Sequence, residues 1–201
     1  MSASIIVAFI TGVLGPVILL FIKSKLEKKA EKHDMVLDTL KVSELVMTKL
    51  DHIKDELKSD RVWVAQFHNG GNFYPTGKSM AKFSIIYESV APSVSSIQGN
   101  FHNIPVNLFS RSINQLLEHD IIEISDFKND EIATFGLKYI AEDTGCKSGY
   151  LFAIKCIEGR FIGILGVDYT KKKTKLTDEA INHLLVQSTS IGGVLMNHLQ
   201  Q

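Results

Sequence analysis

The sequence predicts an α+β fold: an antiparallel sheet of about five strands, with terminal helices on one face, crossing helices and loops on the other, and a single transmembrane helix in front. Three observations lead to it. A β-rich run with one tight turn fills residues 150–169, a charge-free run fills residues 5–22, and strand and helix patterns alternate between them. The chain has 201 residues, 45% of them hydrophobic, so we expect one soluble domain with one core.

The first element is the charge-free run, which is long enough to cross a bilayer. A helix over residues 5–22 would rise about 27 Å, close to the hydrocarbon thickness. Lysines follow it closely, from Lys23 to Lys32, and this one-sided positive charge places the N-terminus outside and the C-terminal domain in the cytoplasm. A signal peptide and a buried helix are the alternatives, but no basic residue precedes the run and no cleavage pattern follows it. We therefore expect residues 1–23 to be a transmembrane helix.

The next element is a long stalk helix over residues 24–58, which contain helix formers and no glycine or proline after Ser24. Its apolar residues recur at the spacing of an imperfect heptad, which suits a parallel homodimer. The alternative is that this stripe packs on its own domain. We expect both, with pairing near the membrane and packing on the sheet from about Leu45 onward. The stripe consists of Val36, Leu40, Val46, Met47, Leu50, Ile53 and Leu57.

The folded domain is expected over residues 59–201 and opens with two strands. These strands, residues 61–67 and 82–90, are joined by a glycine-rich loop in which Asn69-Gly70 is a strong turn pair.

Three helices and a short strand complete the prediction outside the β-rich run. The helices cover residues 106–118, 131–142 and 178–199, the last with Thr177 as its N-cap, and the strand covers residues 121–124.

The clearest strand signal is a hairpin, in which residues 150–157 and 160–169 flank Glu158-Gly159. Because side chains alternate across a strand, pairing Ile157 with Arg160 assigns each residue to a face. One face then carries Tyr150, Phe152, Ile154, Cys156, Phe161, Gly163, Leu165 and Val167, and the other carries Leu151, Ala153, Ile162 and Ile164. Both faces are apolar, so the hairpin must be covered on both sides.

Composition and motifs exclude several function classes. Lysine plus arginine and aspartate plus glutamate both number 22, so no nucleic-acid partner is expected. Cys146 and Cys156 are separated by a strand of roughly 25–30 Å, so we expect free thiols and a reducing compartment. The seven histidines form no i, i+4 pair, and the sequence has neither a phosphate-binding loop nor a G-x-S-x-G motif. We therefore expect neither a metal site nor an enzyme.

Four lysines stand close together before the last helix: Lys171, Lys172, Lys173 and Lys175. This cluster is suited to an anion or to the membrane surface, but a solvated loop is the simpler interpretation.

The segments from residue 104 to residue 199 resemble the GAF domain, a small sensor fold related to PAS. The matching segments are IPVNLF, IIEISDF, EDTGCKSGYLFAI, EGRFIGILGVDY and LTDEAINHLLVQSTSIGGVL, and the resemblance extends over about residues 41–201. It implies a sensory or binding module without catalytic activity, which signals through dimerisation or an unidentified partner protein. The chain lacks the Asn-Lys-x-x-Phe-Asp-Glu signature of cyclic-nucleotide-binding members and the cysteine set of the methionine sulfoxide reductase branch.

The resemblance also implies a small-molecule pocket, with no cofactor identified, between the sheet face opposite the terminal helices and the elements that cross it. Small-molecule pockets have mostly apolar walls and a few polar groups. The expected lining is His68, Asn69, Phe83, Ile85, Tyr87, Tyr139, Asp143, Cys146, Tyr150 and Phe152. An ordinary core with a polar rim gives the same pattern. The alternative is therefore a GAF-like scaffold that has lost its ligand and serves as a protein-docking surface.

His68 is the most interesting single residue, because Phe-His-Asn-Gly-Gly places an imidazole on a flexible turn at the expected cavity mouth. The competing interpretation is that His68 and Asn69 only hydrogen-bond the turn backbone. A thiol-dependent enzyme is the least favoured function, since it requires Cys146 and His68 within hydrogen-bond reach of each other.

Overall fold

A computed structural model describes residues 12, 14–29, 35–128 and 135–199. The chain divides into two compact units, Met1–Thr39 and Leu40–Gln201.

Among the described residues, two α-helices precede the sheet: α1 (Gly15–Lys29) and α2 (Met35–Leu57). Among the described residues, no helix combines the length and the apolar character needed to cross a membrane. Part of the predicted membrane helix, residues 1–11 and 13, lies outside the described residues.

Six strands form one sheet in the order β3-β2-β1-β6-β5-β4, and all neighbouring strands are antiparallel. Their bounds are β1 (Arg61–Asn72), β2 (Ser79–Val90), β3 (Ile104–Pro105), β4 (Ile121–Ile124), β5 (Ser148–Lys155) and β6 (Phe161–Tyr169). The strand beyond the predicted five is β3, which pairs only with Lys82 and Phe83. Two residues are too few to produce a periodic pattern in the sequence.

Three more helices complete the fold: α3 (Ser110–His119), preceded by a 3-10 turn at Val106–Phe109, α4 (Phe135–Thr144) and α5 (Asp178–Leu199). The Thr177 hydroxyl accepts the Ala180 N–H at 3.3 Å, which confirms the predicted N-cap of α5. The predicted start of the helix now labelled α4 falls on residues 129–134, outside the described residues.

The first face of the sheet is covered by α2 and α5. Val46, Leu50 and Ile53 of α2 are buried there, together with Leu184, Ile191 and Leu195 of α5 and the inward side chains of the central strands. Gly192 lets α5 approach β5, because a Cβ at this position would lie 2.5 Å from the Lys155 carbonyl oxygen.

The second face is covered by α3, α4 and a connection that we call the strap, residues 91–103. Its apolar cluster includes Phe83, Ile97, Leu116, Ala141, Leu151 and Ile164. The sheet therefore has separate apolar clusters on its two faces, as the hairpin pattern required.

A β-bulge in β2 changes which side chains point to each face of the sheet, and the prediction for β2 was wrong in this respect. Val64 pairs with Tyr87, whereas its neighbour Ala65 pairs with Ile85, so Ile86 is an extra residue. Strict alternation predicted one shared face for Phe83, Ile85 and Tyr87. Phe83 and Ile85 instead lie in the second-face cluster, while Tyr87 packs against the first.

The predicted hairpin register is confirmed over most of its length: Tyr150 pairs with Val167 and Phe152 with Leu165. Near the turn a register shift pairs Lys155 with Phe161. As a result, Ile162 packs on the first face and Phe161 on the second, the reverse of the predicted assignment.

The loop predicted after residue 67 is largely strand, which is a further correction. Asn69 pairs with Ala81 within the β1–β2 hairpin, and the chain reverses between Phe73 and Lys78, joined by an N–H···O bond of 2.9 Å. Gly70 therefore does not form the turn. A Cβ there would lie 2.8 Å from Cδ of Lys82, so glycine leaves room for the side chain from the partner strand.

Candidate functional site

A cavity of about 60 Å³ lies between the second face of the sheet, helices α3 and α4, and the strap. Its walls are mainly apolar and include five aromatic side chains. The lining consists of Trp63, Phe83, Ile85, Ile97, Phe101, Phe109, Ser112, Ile113, Phe127, Leu137, Ala141, Thr144, Cys146, Leu151, Ile164 and Asp168.

Gly166 creates the place for Trp63 in the cavity wall. The two residues pair across β1 and β6, and a Cβ at Gly166 would lie 2.1 Å from the indole ring. No side chain larger than hydrogen fits between the strand and this ring. The Phe83 and Phe109 rings, 5.3 Å apart, form an edge-to-face pair in the same wall.

Asp168 is the charged residue of the cavity lining. Its Oδ2 accepts the Trp63 indole N–H and an Arg61 guanidinium N–H, each at 3.0 Å. Burial raises the pKa of Asp168 and outweighs the opposing effect of the Arg61 charge. The cavity thus holds one carboxylate within mainly apolar walls.

Arg61 connects this carboxylate to the strap. It is fully buried; its Nε lies 3.3 Å from Oε1 of Glu88, and an Nη2 N–H donates to the Ser95 carbonyl at 2.8 Å. Glu88 in turn accepts the Ile97 N–H at 2.8 Å and the Gln98 N–H at 3.1 Å. Since Ile97 lines the cavity, the network holds one of the cavity walls in place.

Cys146 lines the cavity as a protonated thiol. Its Sγ–H donates to the Ser148 carbonyl at 3.3 Å. Burial, followed by the nearby Asp168 charge, raises the pKa of Cys146 far above its ordinary value. Because the thiolate is the reactive species, this cysteine is a poor nucleophile.

The structure separates the predicted site residues. Phe83, Ile85 and Cys146 line the cavity. Tyr150 and Phe152 are buried on the opposite face with α2 and α5, and Tyr87 packs against that same cluster, so these three do not line it. Asn69 and Asp143 are exposed outside the lining, and the side chain of Tyr139 lies outside the described part of the chain.

His68 is held by the hairpin rather than by the cavity. Its Nε2 lies 2.9 Å from the Ser84 hydroxyl, which accepts the Asn103 N–H, and its Nδ1 lies 3.3 Å from the Asn69 carbonyl. In the neutral imidazole, these contacts require that Nδ1–H donate to the Asn69 carbonyl and that Nε2 accept the Ser84 proton. These contacts agree with the competing interpretation, in which His68 bonds the local structure.

Cys146 and His68 do not form a nucleophile–base pair. The Cys146 thiol lies near Tyr169, at the end of the sheet where Asp168 pairs with Arg61. His68 is seven residues further along β1, which corresponds to roughly 20 Å. Among the described residues, no group of three or more histidine, cysteine or acidic side chains has the arrangement of a metal site.

Sequence reasoning missed Trp63, Asp168, Arg61 and Glu88. A charged residue inside an otherwise apolar strand signals a buried ion pair, and GILGVDY contains such a residue at Asp168. Its partner Arg61 is 107 positions away, and only the β1–β6 pairing brings them together.

No protein-family model matches the chain, and no curated protein matches it. Solved structures do. A far-red cyanobacteriochrome photoreceptor has a TM-score of 0.65 at 14% identity, covering 91% of this chain and 100% of that one. The GAF domain of PixJ from Thermosynechococcus elongatus, in its blue-light absorbing form, has a TM-score of 0.61 at 13% identity, covering 77% and 84% respectively.

A phycocyanobilin-bound GAF domain from a cyanobacterial phytochrome has a TM-score of 0.61 at 14% identity, covering 92% of this chain and 96% of that one. At these identities the likeness concerns the fold alone. The chain has the GAF-domain fold, as the sequence resemblance implied.

Proposed function

We propose that this chain is a sensory module whose GAF-fold domain binds a small, mostly apolar ligand carrying one hydrogen-bond donor or positive charge. The observation that carries the proposal is the Asp168 carboxylate in a cavity lined by aromatic side chains. A carboxylate accepts about four hydrogen bonds, and Arg61 and Trp63 both donate to Oδ2. An amine or N–H group is the ligand chemistry that complements it.

Ligand binding requires the cavity to grow. Small-molecule pockets usually measure about 300–1,000 Å³, and this cavity measures about 60 Å³. The sheet wall is held by strand ladders, whereas the strap is held mainly through Glu88, Arg61 and a few loop hydrogen bonds. We therefore assign the opening movement to the strap and to the aromatic side chains that it covers.

The bilin of the phycocyanobilin-bound neighbour is a property of that protein. For this chain a bilin is only one compound to test. A linear tetrapyrrole is much larger than the cavity volume of about 60 Å³. The proposal itself concerns compact aromatic amines.

Trp63 provides the test, since it is the only tryptophan of the chain and lies in the cavity wall. The full-length chain in neutral detergent would be titrated with phenethylamine, with ethylbenzene and with phycocyanobilin while Trp63 emission and the Tm are followed. We expect phenethylamine to shift both at lower concentration than ethylbenzene. Asp168→Asn should reduce that preference about tenfold or more, which corresponds to about 1.4 kcal/mol.

A second function is favoured by one specific observation: the cavity, whose walls include five aromatic side chains, leaves only about 60 Å³ of free volume. In this alternative the domain is a scaffold that has lost its ligand and docks a protein. It is supported if none of the three probes changes Trp63 emission or the Tm and no small molecule copurifies by mass spectrometry. That result would refute the sensory proposal.

We further propose that residues 1–23 anchor the chain in a membrane, with the N-terminus outside and the domain in the cytoplasm. It is supported by the apolar side chains from Val17 to Ile22 of α1, which are 51–70% exposed. Full-length chain should therefore remain in the membrane fraction after carbonate washing, and release into the supernatant would contradict the anchor.

We also propose that the stalk, residues 24–58, pairs with a second copy through its part before about Leu45, and that this pairing passes the signal to an unidentified partner protein. Leu40 and Leu45 are exposed on α2, whereas Val46 is fully buried. A cysteine at Leu40 should form an intermolecular disulfide under mild oxidation, and one at His52, an exposed site further along α2, should not. Equal cross-linking of both variants would contradict this pairing.

A further inference from the structure

A second concave site lies at the end of α2, outside the cavity described above. It is an open cleft of about 500 Å³, within the size range of small-molecule sites. Its walls come from the end of α2, the connection from α2 to β1, the residues after β2, and the end of β6 with the residues that follow it. They consist of Lys54, Asp55, Lys58, Ser59, Asp60, Ala91, Pro92, Tyr169, Lys171 and Lys172.

Positive charge dominates this cleft, with four lysines against two aspartates. Asp60 is already satisfied: Oδ2 accepts the Thr170 N–H at 2.7 Å and the Lys171 N–H at 2.9 Å, and Lys171 Nζ lies 3.3 Å from Oδ1. Burial of Asp60 acts to raise its pKa, but these donors outweigh it and the net shift is downward. Asp60 is therefore a fixed anion that orients Lys171.

Lys54 is also engaged, because its ammonium donates to the Ser89 hydroxyl at 2.8 Å and lies 3.3 Å from Asp51. Lys58 and Lys172 differ from Lys54 in their ion pairing. Within residues 35–128 and 135–199, neither has a carboxylate within ion-pair distance. In this described part of the chain, two lysines therefore line the same cleft without a salt-bridge partner.

The backbone at Lys58 adds a second observation. Its φ is +49°, in the left-handed region, and the following Ser59 N–H donates back to the Lys54 carbonyl at 3.1 Å. Helices that end in this way usually carry glycine at the left-handed position, because a side chain there is strained. A strained lysine that lines a cleft is typical of a functional position.

Ser59 supplies a third, independent observation. The residue is only 4% exposed, and its Oγ is buried with no hydrogen-bond partner. Buried hydroxyls nearly always have a partner, so an unsatisfied one in a cleft wall indicates a group that binds there.

We infer that this cleft binds the phosphate group of a small soluble molecule, with Lys58 and Lys172 supplying charge and the Ser59 hydroxyl supplying a hydrogen bond. A phosphate dianion has the charge that two unpaired ammonium groups match and the acceptor oxygens that a hydroxyl donor needs. The inference does not depend on the ligand of the Asp168 cavity. If it holds, the lysine cluster after β6 binds an anion, which is the alternative to the solvated loop considered in the sequence analysis.

The test uses full-length chain in neutral detergent at low ionic strength, titrated calorimetrically with inorganic phosphate and with pyrophosphate. Sodium chloride at matched ionic strength is the blank. We expect Lys58→Ala and Lys172→Ala each to weaken binding at least threefold, and the double variant to abolish it. Lys175→Ala, in the same loop but outside the cleft lining, should bind as the unaltered chain does. Equal binding by the double variant, or no heat beyond the chloride blank, overturns the inference.

Lys58→Gly separates binding from folding. Glycine relieves the left-handed strain, so this variant should melt about 2–4 °C higher and still bind phosphate more weakly. Asp120→Gly is the matched control, since Asp120 also has a left-handed φ, of +64°, at the end of α3 and lies outside the cleft. Its phosphate affinity should be unchanged. A Lys58→Gly variant with undiminished affinity would contradict the assigned role.

Discussion

The two faces of the central sheet differ in what covers them and in how they are packed. The first face is covered by two long helices, and its cluster consists of side chains such as Leu50, Leu184 and Leu195. The second is covered by short helices and the strap, and it encloses a cavity with a charged group, Asp168. A continuous apolar interface resists deformation because every displacement opens a void. A face held by a few polar contacts can rearrange locally, so we expect rigidity on the first face and adaptability on the second.

The largest expected effect comes from breaking the polar network of the second face. Arg61→Ala leaves the Asp168 and Glu88 charges buried near each other without their shared cation. We expect the free energy of unfolding in urea to fall by about 3–5 kcal/mol. Arg160→Ala is the control, since this arginine is exposed in the β5–β6 turn and should change stability by less than about 0.5 kcal/mol. A loss below about 1 kcal/mol for Arg61→Ala would show that the network is not essential to this face.

The first face can be tested with two adjacent glycines of α5. A Cβ at Gly192 would meet the Lys155 carbonyl oxygen at 2.5 Å, whereas a Cβ at Gly193 would meet nothing within 4 Å. Gly192→Ala should therefore cost about 1–3 kcal/mol, because the helix must move off the sheet. Gly193→Ala should stabilise by about 0.5–1 kcal/mol, since alanine is the better helix former. Equal effects in urea unfolding would mean that α5 is not rigidly packed.

The matching test on the second face is Gly166→Ala. A Cβ there would lie 2.1 Å from the Trp63 ring, so the indole must leave its place. Because the obstacle is a side chain beside a cavity rather than backbone, we expect a smaller loss than for Gly192→Ala, about 1 kcal/mol. Trp63 emission should shift to the red as the ring becomes more exposed. A loss larger than that of Gly192→Ala would reverse the proposed contrast between the faces.

The smallest effect concerns cysteine reactivity and leaves stability unchanged. The pKa of Cys146 is raised by burial and by Asp168. The Cys156 residue is 6% exposed and lies at the start of the hairpin turn. Desolvation acts to raise the pKa of Cys156, but the N–H groups of Arg160 and Glu158 and the Arg160 side chain outweigh it, and the net shift is downward. Iodoacetamide at pH 8 should therefore alkylate Cys156 first, since the thiolate reacts. Mass spectrometry after timed quenching measures the ratio, which should approach one in 8 M urea. Faster labelling of Cys146 in the folded chain would indicate that its cavity opens readily.

Much of the fold followed from local patterns. The bounds of α5, the N-cap at Thr177 and the pairing of Tyr150 with Val167 were all readable, because helix and strand periodicities and tight-turn residues act over a few neighbours. The GAF resemblance rested on the same local segments, which is why it identified the fold.

The candidate site was harder to predict from the sequence. The face to which a side chain points and the pairing of distant strands do not depend on neighbouring residues alone. One extra residue at Ile86 separates Tyr87 from Phe83 and Ile85, and alternation cannot foresee a bulge. Of the predicted lining, Phe83, Ile85 and Cys146 were placed in the cavity. The sequence by itself determined most of the elements, their order and an apolar hairpin covered on both sides. Only the tertiary structure brought Arg61 to Asp168, because strand pairing across 107 residues depends on the packing of the whole sheet.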